Sequence, residues 1–303
     1  MAGKEITKII DKEGSGNDKP ASTSLAVRAG LFVLFLICSL AIFLFGANYF
    51  ELFPTNGNPI YTAILSAVFL AAALLLKRFG KSAYWQIAYA FFVASVVNLV
   101  SALFAGYNGA VVRFFGTTTE TNQGMAIAKL YDALLVIVPI LVLTLSSGAD
   151  LGSLFLKKGN QDRKWGFGIG ALVLVNYFTS VLIFFGTGYE MSKLGSAILW
   201  GLVFSIGNSL LEELWIRGLF LKKLVPLIGA TGAILLTSLG FASLHFLTVA
   251  YLPATVVPIF VVNTFTLGLA CSILMLKTDS IWGAFLVHAA ADLFMFIAIL
   301  AVH

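Results

Sequence analysis

Apolar residues run along this chain in long blocks, broken by short polar or charged stretches. A membrane-spanning helix needs about 20 predominantly apolar residues. By that measure the pattern predicts nine spans, over 29–50, 58–76, 83–104, 124–146, 165–186, 193–216, 229–249, 252–276 and 280–302. Eight follow if one of the first five is re-entrant or interfacial. The expected fold is all-α, a polytopic transmembrane helical bundle of eight to nine spans. Residues 1–28 are polar, rich in Gly and Ser and charged in both signs, which predicts a flexible cytoplasmic segment. The rest divides into N-terminal helices over 29–160 and a second group over 161–303. No cleavable leader is expected, because the first apolar run starts late and is long enough to stay as an anchor. Internal repeats with shared motifs are not evident, which weighs against an inverted-repeat transporter.

Composition agrees with the pattern. Of 303 residues, 59% are hydrophobic and 11% charged, with a mean hydropathy of +0.97. Soluble domains carry about 25% charged residues. The deficit excludes a water-soluble globule, a disordered chain and a nucleic-acid binder that works through a basic surface. Nineteen Lys and Arg against fourteen Asp and Glu give +5, an excess that in a membrane protein mostly sets topology. All of those cations except Arg113, Lys193 and Lys129 fall on one side of the predicted bundle. The N-terminus is therefore expected in the cytoplasm and, with nine spans, the C-terminus outside. Cys38 and Cys271 lie in apolar runs and read as small hydrophobes, too few for a disulfide framework or a cysteine-ligated metal.

An ionisable residue inside a span costs roughly 2.5–3.5 kcal/mol on insertion scales, so each one asks for a reason. Lys129 and Asp132, three apart in the fourth span, are expected to form a structural ion pair. A denser group follows: Glu212, Glu213 and Arg217, then His245, then His288 and Asp292, on three hydrophobic helices. Their confinement to the last third of the chain predicts one buried site. Glu213 and Arg217 are i, i+4, about 40° apart on an α-helix, and can pair. Glu212 lies about 140° from Arg217 and is the freer carboxylate, suited to a general base. His288 and Asp292 are also i, i+4, so the carboxylate can hold the imidazole in one tautomer. Phe241 shares a face with His245 and can wall it from lipid.

A carboxylate and two imidazoles in a dry cavity suit water activation and oxyanion stabilisation, the needs of amide hydrolysis. They also suit a catalytic zinc held by Glu212, His245 and His288, although no HExxH is present. Ser205, Ser209 and Ser243 lack a nucleophile-elbow motif and read as packing residues. A set of interhelical polar ties is the remaining alternative. Counted along the spans, Glu212, His288 and His245 lie about 15, 12 and 24 Å from the cytoplasmic boundary, which leaves a mismatch in depth.

These residues form a pattern. Glu212-Glu213-Leu214-Trp215-Ile216-Arg217-Gly218 matches EExxxR, Phe241-Ala242-Ser243-Leu244-His245 matches FxxxH, and His288-Ala289-Ala290-Ala291-Asp292 matches HxxxN/D. In that order, each on its own hydrophobic helix, they resemble the CAAX protease and bacteriocin-processing family (CPBP, or Abi), which includes the type II CAAX prenyl proteases. The stretch from Leu267-Gly268-Leu269 through Lys277-Thr278-Asp279-Ser280-Ile281-Trp282 is similar to that family's lead-in to its last motif.

The resemblance implies an intramembrane endopeptidase domain over 161–303, with a conical catalytic cavity formed by the C-terminal helices and open toward the cytosol. Glu212 would activate water with help from His245, Glu213 and Arg217 would organise Glu212, and His288 and Asp292 would face the oxyanion. It implies a glutamate-type protease that needs no cofactor, with zinc as the alternative. The implied partners are the lipid bilayer and a membrane-proximal or lipidated peptide substrate, with no nucleic acid, and the implied location is the bacterial plasma membrane. Where the best-described members have Asn, this chain has Asp292. An ionised carboxylate is a poor oxyanion donor, so Asp292 is expected to orient His288, or to donate if protonated. A non-enzymatic immunity or scaffold protein of the same fold is the alternative function, and an ion-coupled transporter a weaker one.

Overall fold

A computed structural model describes residues 24–47, 58–160, 163–186, 188, 190–246, 254–255 and 257–301. The proposed flexible segment therefore lies outside the described residues except for its last five, and so do parts of the ends of the first, seventh, eighth and ninth expected spans. The described residues contain helices and no strand. We number them α1 (Leu25–Ser39), α2 (Asn58–Arg78), α3 (Ser82–Phe104), α4 (Asn108–Phe114), α5 (Asn122–Ser146), α6 (Arg163–Phe185), α7 (Met191–Glu212), α8 (Leu219–Leu244), α9 (Val257–Thr278) and α10 (Trp282–Ala301). Wide π-type turns, Leu40–Gly46 and Glu213–Gly218, extend α1 and join α7 to α8.

Helix starts follow local chemistry. The Ser24 and Thr121 side chains accept from the backbone N–H of Val27 and Gly124, capping α1 and α5. The first span thus begins at Leu25, four residues before the expected start. The wide turn after α1 is tied by side chains, with Tyr61 Oη donating to the Ala41 carbonyl at 2.8 Å and Asn98 Nδ2 to the Ile42 carbonyl at 2.9 Å.

Among the described residues, seven helices are long and apolar enough to cross a membrane. The chain is an integral membrane protein. That number differs from the expected eight to nine for two reasons. The sixth and seventh expected spans belong to one helical run of 54 residues, Met191–Leu244, and Trp282–Ala298 is a shorter apolar helix. The long run does not continue straight. At 1.5 Å per residue it would reach about 80 Å, more than twice a hydrocarbon core. Pro226 lacks an N–H for the helix ladder, and Gly229 leaves helical geometry at φ 77°, so α8 kinks there.

The bundle is apolar outside and partly polar inside, as lipid requires. On α2, Ile60, Ile64, Val68 and Leu75 are exposed while Asn58, Thr62 and Ser66 are buried. The Thr62 and Ser66 hydroxyls donate to carbonyls four residues back, which satisfies both, whereas Asn58 Oδ1 is buried without a hydrogen-bond partner. Inside, α2 packs on α3, α7 lies between α5 and α10, and α8 packs on α9. An aromatic run joins the halves: Phe69 stacks on Phe91 at 5.3 Å, Phe91 meets Phe220 at 4.9 Å, and Phe43 meets Trp215 edge-on at 5.2 Å. At Gly268 on α9, a Cβ would meet Ser238 at 3.0 Å and Arg217 Nη2 at 3.3 Å. Glycine there lets α9 close over the Arg217 guanidinium.

Candidate active site

The end of α7 and the wide turn after it carry Glu212, Glu213 and Arg217. The end of α8 carries Phe241 and, next to its last turn, His245; α10 carries His288 and Asp292. The structure brings all seven together. A π-type turn has i→i+5 hydrogen bonds and is frequent at functional sites. Here it replaces the ideal α-helix on which the expected angles among Glu212, Glu213 and Arg217 rest.

Arg217 Nη1 donates to Glu213 Oε1 at 2.7 Å, with both side chains fully buried. The same oxygen accepts from His288 Nδ1 at 2.8 Å, which puts the imidazole hydrogen on Nδ1. The other ring nitrogen, Nε2, lies 3.5 Å from Glu212 Oε2 and 3.5 Å from Asp292 Oδ1. His245 Nδ1 donates to the Phe241 carbonyl at 3.0 Å. A carbonyl only accepts, so the bare Nε2 of His245 faces Glu212 Oε1, 4.0 Å away. Phe241 packs against three of these groups. Its ring lies 4.3 Å from the Arg217 guanidinium carbon, 4.7 Å from the His245 ring and 5.4 Å from the His288 ring.

Asp292 does approach His288 across the i, i+4 spacing, through Oδ1 and Nε2, but the shorter bond on the ring is the one from Nδ1 to Glu213. Its other oxygen, Oδ2, accepts from Asn208 Nδ2 at 3.0 Å. One expectation needs correction, because Lys129 and Asp132 do not form an ion pair within 4.0 Å. Asp132 Oδ1 accepts from Asn108 Nδ2 at 3.3 Å, and Lys129 Nζ lies over the Phe204 ring, 5.2 Å from its centroid. The depth mismatch is resolved, since Glu212 lies within 4.0 Å of both imidazoles.

A cavity of about 580 Å3 opens in front of Glu212. Glu212, His245, His288 and Asp292 line it; Glu213 and Arg217 are not among its lining residues. The C-terminal helices do not form it alone, contrary to expectation. Residues of α2, α3 and α5, including Asn58, Asn98, Lys129 and Asp132, complete the wall. Helices with polar inward faces can line a water-filled space, which a purely apolar face cannot do.

Sequence reasoning missed Asn208 and Trp215. Asn208 stands one turn before Glu212, and an amide in that register within a span is the signal that could have found it. The Trp215 indole Nε1–H is buried on the cavity wall without a hydrogen-bond partner. Ser205, Ser209 and Ser243 donate to helix carbonyls three or four residues back.

Among the described residues, Glu213, Cys271 and His288 have ligand atoms within 4.8 Å of one another, so cysteine count alone did not exclude mixed ligation. The Arg217 guanidinium on the same Glu213 oxygen opposes a cation there. Glu212 with the two Nε2 atoms offers zinc-type donors. The 3.5 Å separation suits ligands on one tetrahedral ion, which lie about 3.4 Å apart, and the 4.0 Å separation is wider.

Residues 194–294 match the family model described as type II CAAX prenyl endopeptidase Rce1-like. That stretch contains every motif residue above. Over that third of its length the chain is similar to the CAAX-protease-like family. Comparison with curated proteins and with solved structures gives no match. The family match supports a peptidase, and in general a CAAX-type intramembrane endopeptidase. The helices before residue 194 fall outside the matched segment, yet α2, α3 and α5 supply part of the cavity wall.

Proposed function

We propose that this CAAX-protease-like protein hydrolyses a peptide bond near the cytoplasmic membrane surface, using water activated by Glu212 and His245. The observation that carries the reading is the Glu212 carboxylate on the cavity wall, 4.0 Å from the bare nitrogen of His245. That gap is too long for a direct hydrogen bond and suits one bridging water. One water proton points to Glu212 Oε1 and the other to His245 Nε2, which leaves an oxygen lone pair aimed into the cavity.

The water oxygen bonds to the substrate carbonyl carbon as its proton moves to Glu212. Glu212 then delivers that proton to the departing nitrogen as the C–N bond breaks. Negative charge on the carbonyl oxygen needs donors. Asn208 donates one N–H to Asp292 and keeps a second for the cavity, so the pair supplies the amide that an asparagine in the last motif would supply alone. Glu213 and Arg217 act through His288, which they hold in place, and are positioning residues.

We propose that the reaction needs no metal. A zinc ion held by Glu212, His245 and His288 would supply Lewis-acid activation of the same water. The positive-inside distribution of lysines and arginines supports a cytoplasmic N-terminus, and with it substrate entry from that side.

The test is cleavage of a prenylated CAAX peptide, and of an unmodified membrane-proximal peptide, by purified protein in detergent. Glu212→Gln keeps the shape and removes the base, so cleavage should fall by about 10²–10⁴-fold with an unchanged unfolding temperature. Undiminished cleavage by that variant would overturn the assignment. Activity that survives exhaustive chelation supports the metal-free reading, and activity restored only by zinc overturns it.

A further inference from the structure

A second cavity, of about 300 Å3, opens between α3, α5 and α8 and shares no lining residue with the first. Pockets for small ligands run from about 300 to 1,000 Å3. Trp85 and Tyr89 of α3 form one side, Ser147 and Ser153 another, and Lys222 and Lys223 of α8 the third. Among the described residues no Asp or Glu lines it. The two lysines differ. Lys222 Nζ donates to the Gly152 carbonyl and pairs with Asp279, each at 2.7 Å. Lys223 is half-buried and its Nζ donates to the Leu219 carbonyl at 2.7 Å. No carboxylate among the described residues lies within 4.0 Å of it. An ammonium has three donors, so Lys223 holds an uncompensated charge with N–H groups to spare. Lys77, at the end of α2, adds a further ammonium beside the pocket, 4.9 Å from the centroid of the Trp85 ring.

The hydroxyls on the wall have the opposite capacity. Tyr89 Oη donates to the Leu143 carbonyl at 2.8 Å, Ser147 Oγ to the Thr144 carbonyl at 2.7 Å and Ser153 Oγ to the Asp150 carbonyl at 2.6 Å. A hydroxyl has one hydrogen, so each of these oxygens is left as an acceptor. The pocket therefore suits a ligand with an anion for Lys223 and hydrogen-bond donors for the three oxygens. Two lysines without an acid on the wall disfavour a cationic donor. A phosphate ester of a polyol has both parts, anionic oxygens and neutral hydroxyls.

Position indicates where such a group comes from. Lys77, Lys222 and Lys223 stand on the side where most of the cations gather, and basic pockets between spans on the cytoplasmic side suit phospholipid headgroups. Val138, Val142 and Leu145 are exposed on α5 at four- and three-residue steps, so they form one apolar stripe that leads to Ser147. We infer that this pocket binds the headgroup of an anionic polyol phospholipid. The phosphate sits on Lys223, the headgroup hydroxyls donate to Tyr89, Ser147 and Ser153, and an acyl chain follows the α5 stripe.

The site does not rest on the peptidase reading, and its test needs no cleavage. Native mass spectrometry of the full-length protein in detergent, titrated with short-chain phosphatidylglycerol or phosphatidylcholine, reads the binding. Wild type should hold phosphatidylglycerol about tenfold more tightly, the scale of one charge-assisted hydrogen bond. Lys223→Gln should remove most of that preference and Lys223→Arg should restore it. Lys158→Gln, which removes an exposed lysine outside the pocket, should leave it intact. Gln86→Glu places an acid at an exposed position of the pocket wall and should weaken phosphatidylglycerol severalfold, which keeps the site testable if Lys223→Gln fails to fold. Glycerol phosphate carries the same anion without acyl chains and should not displace the lipid at equal concentration. Equal binding of the two lipids by wild type, or equal losses in Lys223→Gln and Lys158→Gln, would overturn the site. Displacement by equimolar glycerol phosphate would overturn the lipid as its source, in favour of a soluble phosphate ester.

Discussion

Two carboxylates in this protein each take two cationic or protonated partners, one deep in the bundle and one at its surface. Glu213 accepts from Arg217 and His288 at 2.7 and 2.8 Å and is fully buried. Asp279, in the turn between α9 and α10, pairs with Lys157 and with Lys222, the latter at 2.7 Å, and its side chain is 39% exposed. The contact pattern is nearly the same and the surroundings are opposite. A buried pair must recover the desolvation of both charges, and losing one partner strands the other. An exposed pair is screened by water and contributes little. The buried cluster is thus expensive to assemble and sensitive to any loss, a cost that makes sense where it positions His288 in front of Glu212. The surface cluster joins the 150–160 loop to the α9–α10 turn, helped by Ser280 Oγ donating to the Lys157 carbonyl at 2.8 Å.

The comparison predicts its largest effect at Arg217. Arg217→Leu leaves Glu213 buried without its main counter-charge, and breaking such a pair costs about 3–5 kcal/mol. Thermal unfolding in detergent should show a large drop in midpoint or a failure to accumulate folded protein. A midpoint close to wild type would erase the distinction between the two clusters. Glu213→Gln is the milder cut. It keeps an oxygen for one donor and removes the charge, with an expected loss of about 1.5–3 kcal/mol. Because His288 loses its anchor, cleavage should fall along with stability, whereas Glu212→Gln should lower cleavage alone. Parallel losses in both glutamate variants would merge the roles assigned to them.

What could be read from sequence followed from how local each contact is. The Glu213–Arg217 pair lies within one turn and was legible from spacing alone. So was the gathering of acids and imidazoles on three helices, because charge is rare in lipid-facing sequence and its confinement is visible. The His288–Glu213 bond joins residues 75 apart in sequence, and no periodicity encodes it. The i, i+4 rule pointed His288 to Asp292, and tertiary packing offered it a closer carboxylate. For the same reason Asp132 turned to Asn108 on α4 and left Lys129 facing the cavity. The span pattern located the helices well but placed a boundary at Gly229. There the structure has a kink within a longer helical run. Hydropathy responds to the apolar side chains and is blind to a change of axis between them.

The smallest effect belongs to the surface cluster, and its pH dependence sharpens the contrast. Partial burial of Asp279 works against its charged form, but hydrogen bonds from Lys157 and Lys222 outweigh this and hold its carboxyl below the usual range. A depressed carboxyl stabilises the fold above its unfolded value of about 3.9 and loses that contribution as pH falls through the folded value. The hydrogen bond to Asp279 in turn raises Lys157, so its share persists at neutral pH and is lost only as pH rises above the ordinary lysine range, through the raised value. Asp279→Asn should therefore lower stability by less than about 1 kcal/mol at pH 7. Its deficit against wild type should shrink as pH falls below the unfolded value of about 3.9 and through the lower folded value, and also in high salt. A deficit at pH 7 as large as that of Arg217→Leu would show that exposure does not separate the two clusters, and that the 150–160 loop helps hold α10, with His288, in register.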